Sequence, residues 1–266
     1  MGPAEALAIF GAGVAAGTVN AVVGSGSLIT FPTLLAFGYP PVVANVSNNI
    51  GVVPGNVSGA LGYRRELAGQ RARLIRLGVV AAAGSAGGAA ALLSLPSASF
   101  RFIVPVLILI ACALVVAQPW LSGRIAARRS RRSEADGGSA DGASADGGEA
   151  ISPVLSAGVL GSSAYGGYFG AAQGVLLIGL LGTFLDESLQ RVNAAKNVLA
   201  GIANGVAALI FIVFAHVAWL VVLLIATGST LGGLLGARFG RQLPPLALRI
   251  FVVLIGVISA VKLIFF

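Results

Sequence analysis

The sequence predicts an all-α polytopic membrane protein built from two repeated halves, and three observations support this class. Of its 266 residues, 57% are hydrophobic and only 10% are charged, whereas soluble domains have about 45–50% apolar and about 25% charged residues. Ten apolar runs follow one another, most of them close to the roughly 20 residues that a membrane-spanning helix needs. The second half of the chain also repeats the first at a constant offset of 148 residues.

The apolar runs, bounded by charged residues or proline, fall into two sets of five with similar spacing. The first set covers 4–23, 26–38, 42–62, 74–95 and 100–121, and the second covers 152–170, 173–185, 192–213, 217–237 and 246–266. The second run of each set is too short to cross a bilayer. We therefore expect this run to form a hairpin with the run before it, and three spanning helices to follow.

A polar segment separates the two sets. It begins with five arginines between 124 and 132 and continues as a tract of Ser, Ala, Asp and Gly, which has almost nothing to bury. The predicted organisation is therefore a first transmembrane repeat over 1–121, a disordered cytoplasmic linker over 122–150 and a second transmembrane repeat over 151–266.

The asparagines give the best evidence for the duplication. The chain has eight of them, and six form three pairs at the offset of 148. These pairs are Asn45 with Asn193, Asn49 with Asn197, and Asn56 with Asn204. Matching Ala, Gly or Leu residues carry little weight in so biased a composition, whereas matched asparagines in apolar runs indicate a true repeat.

The positions of the basic residues predict how the repeats are oriented. If each repeat crosses the membrane an even number of times, 11 Lys and Arg residues lie inside and 6 outside. If each hairpin returns to its starting side, the number of crossings is odd and the split becomes 15 to 2. Since basic residues accumulate on the cytoplasmic side, we expect inverted-topology repeats in the cytoplasmic (inner) membrane. Both termini are then outside, and the linker and the 63–76 loop are inside.

The turn of each predicted hairpin is polar and carries glycine. The first turn contains Ser25, Gly26 and Ser27, and the second contains Gln173 and Gly174. Non-helical backbone at membrane depth must be buried or line a cavity, and the helix N-termini that follow such turns attract anions. We expect the two turns to meet near the midplane in a binding site. The alternative is that the glycines only permit close helix packing.

A stripe of asparagines lies on one face of the third helix of each repeat. Its amides suit a small anion, or they join helices by hydrogen bonds. Lys196, the cation well embedded at the start of an apolar run, either pairs with the anion or snorkels to the cytoplasmic surface. The candidate substrate-binding residues are Asn20, Ser25, Gly26, Ser27, Asn45, Asn49, Asn56, Gln173, Gly174, Asn193, Lys196, Asn197 and Asn204.

Several classes of function lack their sequence signatures. The chain has no G-x-x-x-x-G-K-[ST] motif for ATP phosphates, no H-E-x-x-H motif and no Ser/His couple in its apolar runs. Its single cysteine, Cys112, excludes a disulfide framework and a Cys-based metal site. The lone His216 lies in a polar break and fits a solvated loop. We therefore expect no enzyme activity, cofactor or metal site and, despite the net charge of +8, no nucleic-acid partner.

Two long segments resemble a known family of membrane proteins. The resemblance to the first repeat of the TauE/SafE (sulfite exporter, DUF81) family lies in VNAVVGSGSLITFPTLLAFGYPPVVANVSNNIGVVPGNVSGALGYRREL. The similarity to the second repeat lies in YGGYFGAAQGVLLIGLLGTFLDESLQRVNAAKNVLAGIANGVAALIF. The chain departs from the family pattern at its Gly-Ser-Gly-Ser turn and at Asn48 and Asn49, where many members have Ser or Thr. The resemblance covers all but 122–150 and implies transport of sulfite, sulfonates or related small anions, often as export.

Together these observations predict a secondary transporter, in the direction of export, for a small sulfur oxyanion such as sulfite or a sulfonate. It would work by alternating access, and its partners would be the small anionic substrate and the lipid bilayer. A passive anion channel and a membrane subunit without a transported ligand are the alternatives. The particular anion, the coupling ion and the oligomeric state, a homodimer included, stay open.

Overall fold

Ten α-helices form the regular structure of the residues that the computed structural model describes, which are 1–135, 152–239 and 245–265. They are α1 (Pro3–Val22), α2 (Ser27–Ala36), α3 (Pro41–Gly62), α4 (Arg71–Ser94), α5 (Ser97–Ala135), α6 (Pro153–Tyr168), α7 (Gln173–Phe184), α8 (Leu189–Phe214), α9 (Trp219–Phe239) and α10 (Pro245–Phe265). These residues contain no strand. By length and composition, α1, α4, α5, α8 and α9 each contain a stretch that could cross a membrane. The predicted all-helical membrane class is confirmed.

The two short apolar runs form short helices. Helix α2 has 10 residues and α7 has 12, which at 1.5 Å per residue gives about 15 and 18 Å, too little for a hydrocarbon core of about 30 Å. The chain reverses before them at Gly24 (φ 86°) and Gly170 (φ 79°), a backbone conformation that residues with a Cβ rarely adopt. Helix α2 packs on α1, and α7 packs on α6. Each half therefore begins with a helical hairpin.

The two halves exchange packing partners. Helix α1 packs along α9 of the other half, and its repeat equivalent α6 packs along α4. Small residues allow close approach of the backbones at both interfaces: Gly236 lies against the backbone of Thr18, and Gly88 lies against the backbone of Ala164. Since Gly88 and Gly236 are related by the offset of 148, the repeated glycines occupy equivalent interfaces.

Helices α3 and α8 pack on each other at the centre and run in opposite directions. Asn49 of α3 lies beside Asn204 of α8, whereas Gly59, further along α3, lies beside Asn197, which comes earlier in α8. Residue numbers therefore rise along one helix as they fall along the other. Because α3 and α8 are equivalent helices of the two halves, this antiparallel packing is the arrangement expected of inverted repeats.

Helix α5 differs from the prediction for the segment between the halves. It continues to Ala135, so that 122–135, expected to be disordered, is helical. Alanine and arginine are strong helix formers, and they extend a helix that the apolar run before them has already nucleated. The remainder of the predicted linker, 136–150, lies outside the described residues.

A charged contact joins the halves beside the 63–76 loop. Glu187, between α7 and α8, accepts hydrogen bonds from Arg73 of α4 at 3.0 Å and from Arg191 of α8. Arg191 also donates to the carbonyl oxygen of Ala68 at 3.0 Å. Partial burial alone would raise the pKa of Glu187, but the hydrogen bonds and charges of Arg191 and Arg73 outweigh it and hold the pKa below its ordinary value. This contact fastens the start of α8 to the other half.

Candidate functional site

The tips of the two hairpins meet, as predicted. The backbone N–H of Gly174 donates a hydrogen bond to the carbonyl oxygen of Gly24 at 3.1 Å. A Cβ on either glycine would overlap the backbone of the other, so close packing is one reason for glycine here. The contact also brings the N-terminus of α7, which is a positive dipole end, close to the turn that leads into α2.

The polar residues of the two turns are mostly buried. Ser25 is only 1% exposed and Gln173 only 2% exposed, while Ser27, the first residue of α2, is half-buried. Gly26 packs on the backbone of Ala16. Gln173, the first residue of α7, places its amide against Gly166, whose missing side chain makes room for it. Polar groups are thus held inside the protein at both helix starts.

The asparagine stripes form two clusters instead of one continuous surface. Since α3 and α8 are antiparallel, the residues that meet are not the pairs related by the offset of 148. Asn49 meets Asn204, and Asn56 lies seven residues further along α3, about 10 Å away at 1.5 Å per residue. One cluster therefore forms at the end of α1 and the other at the end of α6.

The α1-end cluster consists of Asn20, Asn56, Asn193, Lys196 and Asn197. The Asn20 amide donates a hydrogen bond to Oδ1 of Asn56. Asn193 donates to the carbonyl oxygen of Ala21 at 3.0 Å, and the amide nitrogen of Asn197 is 3.9 Å from the Cβ position of Gly59. Helices α3 and α8 thereby hold the last turn of α1 between them.

The α6-end cluster consists of Asn45, Asn49, Tyr168, Gly170 and Asn204. Asn45 donates to the backbone carbonyl oxygen of Tyr168 at 2.9 Å, and Asn49 donates to Oδ1 of Asn204 at 3.3 Å. The Cβ position of Gly170 lies 4.0 Å from both of these last two amides. The arrangement mirrors the α1-end cluster but contains no cation among its members.

Lys196 does not reach the membrane surface. It is 1% exposed, and its Nζ donates to the carbonyl oxygens of Asn20 at 2.8 Å and of Ala21 at 3.4 Å. The structure therefore contradicts the snorkelling alternative, because the last turn of α1 offers the ammonium backbone oxygens that lack helical partners. Within the described ranges, no carboxylate pairs with this lysine.

Many polar atoms of the two clusters and the turns lack a partner. Buried polar groups normally make hydrogen bonds, to protein, water or ligand. In the part of the chain that the structure describes, those without a protein partner include Ser25 Oγ, Asn45 Oδ1, Asn49 Oδ1, Asn56 Nδ2, both amide atoms of Gln173, Asn193 Oδ1 and Asn197 Nδ2. Some of the asparagine side-chain atoms join helices by hydrogen bonds. The atoms without a protein partner are available to a polar ligand.

The sequence reasoning missed the role of Asn48. This residue is 1% exposed and accepts a hydrogen bond from the hydroxyl of Thr30, which ties α3 to α2. The offset of 148 makes Asn48 the counterpart of Lys196. The repeat therefore indicated that Asn48, like Lys196, is a candidate for a buried polar contact. His216, by contrast, lies as expected in an exposed loop between α8 and α9.

A helical bundle with several apolar, membrane-length helices and a buried polar centre between two hairpins defines an integral membrane protein of the transporter class. The chain belongs to the sulfite exporter TauE/SafE family, whose model matches residues 9–263. The predicted family is therefore confirmed, and the match spans both halves.

Curated relatives cover almost the whole chain. A probable membrane transporter protein of Haemophilus influenzae is 26% identical over 257 residues, which are 97% of this chain and 93% of the relative. The probable membrane transporter protein YfcA of Escherichia coli strain K12 is 22% identical over 97% of this chain and 88% of its own length. The probable membrane transporter protein ORF9 of a Sinorhizobium species is 24% identical over 96% and 90%. No solved structure matches the chain.

Proposed function

We propose that the protein is a secondary transporter that exports a small sulfur oxyanion, sulfite or a sulfonate, across the cytoplasmic membrane. The main support is a buried cation beside unpaired amide donors, at the last turn of α1 and close to the hairpin tips. Such a site stabilises an oxyanion through the ammonium and through the amide N–H groups, because hydrogen bonds to a charged group are the strong ones. The family name supports the choice of sulfite or its relatives. No part of this mechanism requires catalysis or a cofactor.

We propose alternating access between two inverted repeats as the transport mechanism. The antiparallel packing of α3 on α8 and the exchanged packing of α1 and α6 support this arrangement. Most of the candidate residues are buried in this conformation, so a substrate reaches them only after one hairpin moves relative to the rest. A passive anion channel would use the same residues but would keep a continuous path open.

The anion-binding part of the proposal predicts a selective thermal shift. We expect sulfite, thiosulfate or sulfoacetate to raise the melting temperature of the purified protein, while chloride at equal ionic strength does not. A ligand at 100 times its Kd stabilises the folded state by about 2.7 kcal/mol, which differential scanning fluorimetry detects. A panel in which no sulfur oxyanion raises the melting temperature, or in which only carboxylates do, would contradict the proposed substrate.

The orientation can be tested by cysteine labelling, since the native Cys112 is buried. Ala68 and His216 are exposed in loops at opposite ends of the antiparallel pair α3 and α8. We expect a membrane-impermeant maleimide to label His216→Cys on intact cells and Ala68→Cys only after permeabilisation. Labelling of both positions from the same side would show that the repeats are not inverted.

A further inference from the structure

The two hairpins are held in place by different chemistry, although the repeats are alike. At the α1 end, Lys196 and Asn193 both donate to backbone carbonyl oxygens of the last helical turn. At the α6 end, Asn45 donates to the carbonyl of Tyr168, while Asn48, the counterpart of Lys196, bonds to Thr30 instead. An ammonium therefore anchors the tip of the α1–α2 hairpin, and only a neutral amide anchors the tip of the α6–α7 hairpin.

The charge of Lys196 is only partly compensated by its protein contacts. The end of α1 carries roughly half of a negative charge from its free carbonyl groups, and the described residues supply no carboxylate to this ammonium. Burial of an ion is costly unless an opposite charge and hydrogen bonds accompany it. A mobile anion would supply the missing charge.

The neighbouring amides point to the same kind of ligand. Asn197 follows Lys196 directly, and both Asn197 and Asn56 are 2% exposed. Their side-chain nitrogens have no acceptor within the described residues. Donor groups of this kind require an acceptor, and an oxyanion offers several oxygen atoms at once. A buried cation and two unpaired amide donors, on the facing helices α8 and α3, thus lie in the same cluster.

We propose, on the basis of the transport function above, that the anion binds in the α1-end cluster and takes the ammonium of Lys196 away from the carbonyl oxygens of Asn20 and Ala21. Binding then loosens the tip of the α1–α2 hairpin, because Lys196 leaves its backbone partners for the ligand and, of the hydrogen bonds that α8 donates to this turn, only that from Asn193 to Ala21 remains. The α6-end cluster, whose members include no ammonium, does not respond directly. The anion thereby acts on one hairpin of the pair.

Hydrogen exchange of the unmodified protein, with and without sulfite, tests this exchange of partners. We expect backbone amides of 20–26 to exchange about tenfold faster when sulfite is bound, and those of 168–174 to be unchanged. Thermal shift in the same samples reports whether sulfite binds. Bound sulfite with unchanged exchange at 20–26, or with equal changes at both tips, overturns the inference and leaves the transport function standing. The absence of any thermal shift would overturn both.

A matched pair of variants separates the cluster from its counterpart. Asn197→Ala removes an unpaired donor at the α1 end, and we expect the apparent affinity for sulfite to fall about tenfold or more, as for a hydrogen bond to a charged group. Asn48→Ala removes an equally buried amide from the counterpart of the Lys196 position, and we expect an affinity within about threefold of the parent. Equal losses of sulfite affinity in the two variants would show that the anion does not bind in the α1-end cluster.

Discussion

Gly174→Val is expected to abolish transport and to lower the free energy of unfolding by about 3 kcal/mol or more. The Cβ position of Gly174 overlaps the backbone of Gly24, which has no flexible side chain that could move aside. The substitution must therefore separate the two hairpin tips and break the hydrogen bond between Gly174 and Gly24. Thermal unfolding in detergent and sulfite uptake by proteoliposomes measure the two effects.

The control for this substitution is Gly161→Val. Gly161 lies in α6, is exposed, and has no atom within 4 Å of its Cβ position. Gly161→Val introduces the same side chain into a helix but without a steric clash. We therefore expect only a small change in melting temperature. A Gly174→Val protein that melts and transports like the parent would show that the hairpin tips need not touch.

Lys196→Met is expected to abolish transport while leaving the protein folded. The substitution removes the buried charge and, with it, the desolvation cost that the charge carries, and an apolar side chain of similar length fills the space. The carbonyl oxygen of Asn20 then loses its hydrogen-bond donor, at about 1–3 kcal/mol, whereas that of Ala21 keeps the hydrogen bond from Asn193. We expect these opposing effects to leave the melting temperature within a few degrees of the parent. Transport is lost because the anion site no longer contains the ammonium.

Lys196→Arg is the matched variant, since it keeps the charge with a different shape. We expect partial transport from Lys196→Arg and none from Lys196→Met, measured at equal amounts of reconstituted protein. Transport by Lys196→Met at the parent rate would remove this lysine from the mechanism. Unfolding of both variants would make Lys196 a residue required for structure alone.

Much of the fold follows from hydropathy and repetition. Each of the ten apolar runs corresponds to a helix in the described residues, and the two runs too short to span form α2 and α7. Helix α5 continues to Ala135, beyond the apolar run that predicts it, because arginine and alanine propagate a helix outside an apolar environment as well.

The candidate site was harder to predict, because a repeat shows which residues are equivalent but not which residues touch. The offset of 148 pairs Asn49 with Asn197, whereas the antiparallel helices place Asn49 beside Asn204. The partners of Lys196 are backbone oxygens at the end of α1, which have no signature in the side-chain sequence. The division into two clusters thus required the three-dimensional arrangement.

Counterflow of labelled sulfite is the most direct test of the proposal that this protein is an alternating-access carrier. Proteoliposomes preloaded with unlabelled sulfite are placed in a trace of labelled sulfite, and the label inside is followed with time. A carrier exchanges one anion for another, so we expect the label to accumulate transiently above its equilibrium level, and Lys196→Met vesicles to show no accumulation. Entry of the label that never exceeds equilibrium and does not depend on the internal load would contradict the carrier mechanism and identify a channel.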